Sequence, residues 1–131
     1  MSTLSERLQD VNEAGAYRLN CGLHELRDAA TQAGCALFVA DLAAVRGKGA
    51  FLAAIAQAVR APDWFGANWD ALADALGDLS WQPASAYVLL LRNSGETCGL
   101  SVAEYGIAAE IFSGASIYWK SQGKPFWTFF S

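Results

Sequence analysis

The sequence predicts an α/β fold in which a mainly parallel sheet of three or four strands is covered by helices. Short apolar runs at residues 36–41, 87–91 and 126–130 indicate buried strands. Runs without polar alternation are typical of strands that are covered on both faces, as in a parallel sheet. Because helical patterns separate these runs, we expect parallel strands joined by right-handed crossovers. We place the apolar strands at the centre of the sheet.

The N-terminal part of the chain predicts two helices on either side of an edge strand. Apolar residues that share one helical face predict a short first helix: Leu4, Leu8 and Val11. Gly15 ends this helix, and residues 16–20 are expected to form an edge strand. A second apolar stripe predicts the next helix: Leu23, Leu26, Ala29 and Ala30. Gly34 follows this stripe as a typical C-terminal cap.

Further helices are predicted before and after the 87–91 strand. Beyond a glycine-rich loop at 46–49, apolar residues at helical spacing predict a helix up to Arg60: Phe51, Leu52, Ile55, Ala56 and Val59. Pro62 ends this pattern. A turn-rich segment at 93–99 precedes a helix expected at about 107–121, although glycines in and beside it lower its intrinsic propensity.

Composition indicates a single folded domain with an acidic surface. The chain has 131 residues, of which 53% are hydrophobic and 17% are charged, which favours a folded domain over disorder. Its formal net charge is -4. Direct binding of nucleic acid needs a basic surface, so nucleic acid is not the expected partner. An acidic surface does permit a basic protein partner.

Cysteine usage and charge placement favour a cytoplasmic protein. Cys21, Cys35 and Cys98 are odd in number and lack metal-ligand spacing, so we expect reduced thiols that pack as small hydrophobes. Charged residues within 1–15 interrupt any signal-peptide core. No apolar run approaches the roughly 20 residues of a membrane span. We therefore expect no membrane association.

Residues 68–79 predict an amphipathic helix with an acidic face. At about 100° per residue, the apolar residues share one side of this helix: Trp69, Leu72, Leu76 and Leu79. Asp70, Asp74 and Gly77 fall on the opposite side. Asn68 is a suitable N-cap, which places Asp70 in the favourable first turn. The 70/74 pair is repulsive, and residues 61–91 contain no lysine or arginine.

An aromatic turn precedes this helix and suggests that the acids face a partner. Trp64 and Phe65 are followed by Gly66, whose backbone accepts conformations closed to other residues. Charge pattern alone also fits an ordinary solvated acidic helix. An aromatic anchor beside a charged rim is, however, typical of protein interfaces. Phe65 is expected to cover the core, whereas Trp64 is as suited to a partner contact as to packing.

Residues 62–81, PDWFGANWDALADALGDLSW, resemble the barstar family, the intracellular inhibitors of bacterial guanyl-specific ribonucleases. The resemblance extends from about residue 36 to residue 131 and includes Trp119 and the GKPF segment at 123–126. It implies a barstar-like sandwich for residues 36–131. Residues 1–35 are then a helix and strand extension, which we expect to pack on the same domain.

The resemblance also implies how the site binds. Family members insert this loop and helix into a ribonuclease active site, where carboxylates stand in for RNA phosphates. Asp74 would be the main anchor among the enzyme's cations, and Asp70 would pair at the rim. Trp64 would stack near the catalytic histidine, while Gly66 and Asn68 would present backbone and polar groups. The implied partner is a basic guanyl-specific or toxin ribonuclease, and we expect a monomer when free.

The periphery of the site departs from the family pattern. Ala73 lies where the type inhibitor has a contacting aromatic residue, and Gly77 replaces a hydroxyl residue. Trp81 matches a contacting tryptophan only after a two-residue shift, and Tyr118 falls where the family places a contacting glutamate. These differences bear on the identity of the target more than on the mode of binding.

No residue pattern predicts catalysis, a metal or a cofactor. His24 is the only histidine, and no nucleophile motif accompanies it. Asp70 and Asp74 lack further ligands for a metal. The sequence therefore predicts a ribonuclease inhibitor rather than an enzyme. The alternative is a non-inhibitory acidic module that binds another basic partner.

Overall fold

The computed structural model describes residues 3–63, 66–94 and 98–131. Its strands form one parallel sheet in the order β1-β4-β3-β2, which confirms the predicted α/β fold. The strands are β1 (Ala16–Arg18), β2 (Ala36–Asp41), β3 (Tyr87–Arg92) and β4 (Phe126–Phe130). The helices are α1 (Leu4–Leu8), α2 (Leu23–Ala33), α3 (Lys48–Val59), α4 (Trp69–Leu76) and α5 (Val102–Ser121).

The predicted central position of β2 is wrong. Only β3 and β4 are central, while β1 and β2 form the two edges of the sheet. Phe38 and Ala40 of β2 are buried on one face, and Leu37 and Val39 are half-buried on the other. An apolar run reports that helices cover both faces of a strand. Such a run does not indicate whether a neighbouring strand is hydrogen-bonded along each edge of the strand. β2 can therefore be apolar although it is an edge strand.

Helices cover the two faces of the sheet with separate apolar clusters. α1 and α2 pack on one face through the cluster Leu8, Leu26, Ala29, Ala30, Val88, Leu90, Trp127 and Phe129. α3, α4 and α5 cover the other face, where Leu89 and Leu91 of β3 are buried. Successive β3 residues therefore alternate between the clusters, as the geometry of a strand requires.

The N-terminal segment is fixed to the central strand β4 by a buried hydrogen bond. The indole N–H of Trp127 donates to the carbonyl oxygen of Leu8 at 3.0 Å. Tyr17 of β1 packs on the same indole, with 5.7 Å between the ring centroids. Residues 3–35 thus cover apolar surface that β4 presents on this face of the sheet. Their designation as an extension of a 36–131 domain stays a prediction.

α5 begins five residues before the predicted start at Ile107 because a capping box fixes its first turn. The Ser101 hydroxyl accepts the backbone N–H of Glu104 at 3.1 Å, and the Glu104 carboxylate accepts the Ser101 N–H at 2.9 Å. This reciprocal pair satisfies two otherwise free helix donors. α1, in contrast, ends at Leu8, so Val11 lies beyond the helix that it was expected to join.

A buried hydroxyl in β4 predicts a stabilising substitution. Thr128 is 0% exposed, and its hydroxyl has no hydrogen-bond partner within the described part of the chain. Leaving such a group unsatisfied costs about 1–3 kcal/mol, so Thr128→Val should raise the free energy of unfolding by about 1 kcal/mol. Urea unfolding measures this change. Ser116→Ala is the control, because the Ser116 hydroxyl donates to the Phe126 carbonyl at 2.7 Å and its loss should destabilise. A Thr128→Val protein less stable than wild type would contradict the prediction.

Asp41 at the end of β2 predicts a pH-dependent contribution to stability. A hydrogen bond from the Asn93 amide at 2.7 Å, with one from the Ala43 N–H at 3.0 Å, lowers the pKa of Asp41. A lowered folded-state pKa gives stability that is present above the unfolded-state pKa and is lost as the pH falls through the folded-state value.

The test compares urea midpoints of wild type and Asp41→Asn from about pH 7 to about pH 3, which spans ordinary carboxyl titration. The wild type should be the more stable at neutral pH, and the difference should shrink as Asp41 becomes protonated. Asp78→Asn, an exposed site outside this network, is the control. A difference that is constant across the range would show that the Asp41 charge contributes nothing.

Candidate partner-binding groove

Asn68 sets the start of the acidic helix α4, which confirms its predicted capping role. The Asn68 side-chain oxygen accepts the backbone N–H of Ala71 at 2.7 Å, and its amide donates to the Gly66 carbonyl at 3.4 Å. Asp70 consequently lies in the first turn, where the helix dipole stabilises an anion. The loop and the helix are therefore joined through one side chain.

The inner face of α4 is anchored to the core and to α5. Leu72 and Leu76 are fully buried, as predicted from the helical period. At the C-terminal end of α4, the indole N–H of Trp119 in α5 donates to the carbonyl of Leu76 at 2.7 Å. Trp69 is half-buried and packs on Phe51, with 6.1 Å between the ring centroids. α4 is thus held at both ends, and its outer face has a fixed orientation.

The carboxylates of Asp70 and Asp74 are exposed to solvent. Neither forms an ion pair or a side-chain hydrogen bond within residues 3–63, 66–94 and 98–131. Lys48 lies near this end of the helix, but its ammonium stands over the Trp69 ring, 5.8 Å from the centroid. The acidic face therefore has no cation from the described part of the chain to neutralise it.

An open groove of about 600 Å³ runs between α4 and α5. Carboxylates line it from both helices, with Asp70 and Asp74 on α4 and Glu110 on α5. Small residues line it as well: Ala73, Gly77, Gly114 and Ala115. The larger lining residues are apolar or aromatic: Trp69, Ile107, Ile111 and Tyr118. The groove therefore combines negative charge with apolar surface and leaves room for a side chain of another molecule.

This groove brings together half of the predicted site. Five predicted site residues line it: Asp70, Ala73, Asp74, Gly77 and Tyr118. Gly66 and Asn68 precede α4 and are exposed. Trp81 instead packs against the core, and its indole N–H donates to the Val59 carbonyl at 2.8 Å. Trp64 and Phe65 lie outside the described residues. The part that each residue takes in binding stays a prediction.

Reasoning from the sequence named only Tyr118 among the α5 residues that line the groove. Ile107, Glu110, Ile111 and Gly114 line the groove together with Tyr118. Their spacing of three and four residues places them on one face of a helix. The same periodicity that predicted the acidic face of α4 could have identified this face.

The other chemically notable side chains lie away from the groove. His24 is exposed on α2, on the opposite face of the sheet, and lies 3.3 Å from Asp28. Burial raises the pKa of the Cys21, Cys35 and Cys98 thiols, which favours the protonated, unreactive form. Within the described ranges, no group of three metal-ligating side chains is present. No helix there is long and apolar enough to cross a bilayer.

Comparison with known families assigns the chain on the basis of residues 35–131, which match the family model described as Barstar (barnase inhibitor). The chain belongs to the barstar family. The resemblance of residues 62–81 is thereby confirmed, and the parallel α/β sheet with its helices is a barstar-like fold. The barstar match includes α4, α5 and the whole groove, whereas α1, β1 and α2 precede it. No curated protein sequence matches the chain.

Asp70 and Asp74 form no ion pair with any described residue, which predicts that the free protein does not need the Asp74 charge. Asp74→Asn removes i,i+4 repulsion with Asp70, so its stability should equal or exceed that of wild type by a few tenths of a kcal/mol. Thermal unfolding at low salt measures the change. Asp70→Asn is the matched control, because it removes the same repulsion but also the helix-dipole stabilisation of Asp70, so it should be less stable than Asp74→Asn. A loss of more than about 1 kcal/mol for Asp74→Asn would make Asp74 a structural residue.

Proposed function

We propose that this barstar-family protein binds a small basic ribonuclease of the barnase type and blocks its active site. The observation that carries the proposal is the pair of exposed carboxylates, Asp70 and Asp74, that have no cation partner among the described residues. An enzyme that binds RNA presents cations to phosphates. Carboxylates on one rigid helix can form ion pairs with those cations and exclude the RNA substrate.

Electrostatics supports both the choice of partner and the speed of binding. The chain carries a net charge of -4, and its acidic groove would attract a basic protein at long range. Complementary charges raise association rates and disfavour acidic partners. Asp74 would be the central anchor and Asp70 would pair nearer the rim. Both roles follow from the family pattern and are part of the proposal.

The anchoring of α4 supports a preformed site. The Asn68 cap, the burial of Leu72 and the Trp119–Leu76 hydrogen bond fix the helix before any partner arrives. A side chain that is already oriented loses less conformational entropy on binding. The carboxylates can therefore meet a cationic active site without rearrangement of the helix that carries them.

The loop before α4 and the periphery of the site complete the proposed interface. Gly66 and Asn68 would present backbone and polar groups, with aromatic contacts from Trp64 and Phe65. Tyr118 would contact the partner from α5, and Trp81 would contribute at the edge. We infer a cytoplasmic protein that is monomeric when free and protects its cell from a toxin ribonuclease.

A second candidate is a non-inhibitory module that binds a different basic protein. It is favoured by Ala73 and Gly77, which stand where the type inhibitor has larger contacting side chains. Such a module would engage a cationic surface without covering a ribonuclease active site. RNA cleavage in the presence of the protein separates the two candidates.

The test uses barnase as the probe enzyme. Wild-type protein should inhibit RNA cleavage by barnase, and Asp74→Ala should weaken binding by more than about tenfold, or about 1.4 kcal/mol. The variant should also reduce the dependence of affinity on salt, because one charge contact is lost. Calorimetric titration and an RNA cleavage assay give the two readouts.

Asp28→Ala is the matched control, since Asp28 is exposed on α2 across the sheet. It should inhibit barnase as wild type does. Equal affinity and equal salt dependence for Asp74→Ala and wild type would overturn the proposed anchor. Binding to barnase without inhibition would favour the second candidate.

A further inference from the structure

We propose that the open edge of β2 accepts an extended segment of another protein as an additional strand. The segment carries uncharged side chains along Ala36–Ala40 and a lysine or arginine that faces Asp41. This site goes beyond the proposed function and does not depend on it, because the acidic groove lies between α4 and α5 rather than beside β2. A partner held at β2 would leave that groove accessible.

The backbone of β2 directs unused hydrogen-bonding groups away from the sheet. Within the described residues, β2 pairs with β3 alone and forms one edge of the sheet. The N–H of Ala36 donates to the Ala86 carbonyl at 2.9 Å, so every second residue from Ala36 onward directs its backbone groups toward β3. The N–H and C=O groups of Leu37, Val39 and Asp41 therefore point outward. No backbone hydrogen bond from a described loop or helix reaches Leu37 or Val39.

The β2 edge lacks the features that usually prevent a further strand from pairing. Natural edge strands are often very short, or they carry a lysine, a proline or a bulge. β2 is 6 residues long, and from Ala36 to Ala40 it contains no charged residue and no proline. The opposite edge strand, β1, is only 3 residues long and carries Arg18. Of the two edges, β2 is therefore the better template for an added strand.

The surroundings of this edge favour uncharged side chains in the added strand. α3 packs on β2 and contains no charged residue from Gly49 to Val59. On the other face of β2, Leu37 and Val39 are only half-buried. Alternate side chains of an added strand would cover apolar surface on both faces of the sheet. A charged side chain against this part of α3 would lose hydration without gaining an ion-pair partner.

Asp41 supplies charge complementarity at one end of the edge. Its carboxylate is exposed and forms no ion pair with a described residue, although Arg92 is its register partner on β3. The Asn93 amide and the Ala43 N–H both donate to Oδ1 of Asp41. These bonds orient the carboxylate, and they leave Oδ2 to accept from a cation. A lysine or arginine at the matching position of the added strand would therefore fix the register of that strand.

Hydrogen exchange of backbone amides, followed by NMR, tests this site directly. The probe is a capped peptide of alternating threonine and valine that ends in lysine, and a second probe begins with the lysine so that the strand can add in either direction. Exchange at Leu37 and Val39 should slow about tenfold when the free peptide is at about ten times its Kd. Phe38 and Ala40 are internal controls, because their amides already bond to β3. The same peptide with N-methylated amides should have no effect, because it cannot donate hydrogen bonds.

Variants separate backbone pairing from the contact with Asp41. Val39→Pro removes an outward N–H that β3 does not use, so the fold should persist and peptide binding should weaken more than about tenfold. Arg18→Pro is the matched control, because it removes an outward N–H from the other edge strand, and it should bind the peptide as wild type does. Asp41→Asn should weaken binding of the lysine peptide several-fold and leave binding of a glutamine-ended peptide unchanged. The N-methylated peptide keeps the test decisive if Val39→Pro does not fold.

Two outcomes would overturn the proposal. The first is unchanged exchange at Leu37 and Val39, or equal slowing by the N-methylated peptide. The second is slowing that rises with protein concentration in the absence of peptide, which would assign the edge to a second copy of the chain. None of these measurements uses a ribonuclease, so their result is independent of the proposed function.

Discussion

The central pair β3 and β4 imposes the constraint on which the rest of the structure depends. Both strands carry apolar residues on both faces, so helices must cover each side of the sheet. α1 and α2 cover one face, and the crossovers place α3, α4 and α5 on the other. Because α4 and α5 pack side by side there, their outer surfaces form the groove. The indole of Trp119 joins the two helices at the Leu76 carbonyl and fixes the distance between the walls of the groove.

The groove differs in character from the core directly beneath it. On the buried side, α4 and α5 follow the usual requirements of packing, with Leu72, Leu76 and Phe112 excluded from solvent. On the outer side, α4 bears repelling carboxylates and α5 keeps a glycine that costs helix stability. The repulsion between the carboxylates and the glycine within the helix each lower the stability of the fold. Residues that lower folding stability are expected on surfaces that bind a partner.

Local sequence predicted most elements because their signals are local. The apolar runs gave β2 and β4 with their observed bounds, and Asn68 marked the start of α4 by its capping chemistry. The early start of α5 is also encoded locally, in the capping box of Ser101 and Glu104. The edge position of β2 has no such local signal, because the burial of a strand's faces and the pairing of its edges are independent properties.

The sequence by itself determined the parallel α/β class, the family motif and the acidic face of α4, because helical and strand periodicity depend only on neighbouring residues. Only the tertiary structure decided that Asp70 and Asp74 find no internal cation within the described residues. It also decided that α5 brings Glu110, Gly114 and Tyr118 to the same groove. Those facts depend on contacts between segments more than thirty residues apart. Such contacts are fixed by the packing of helices on a shared sheet, which no local pattern specifies.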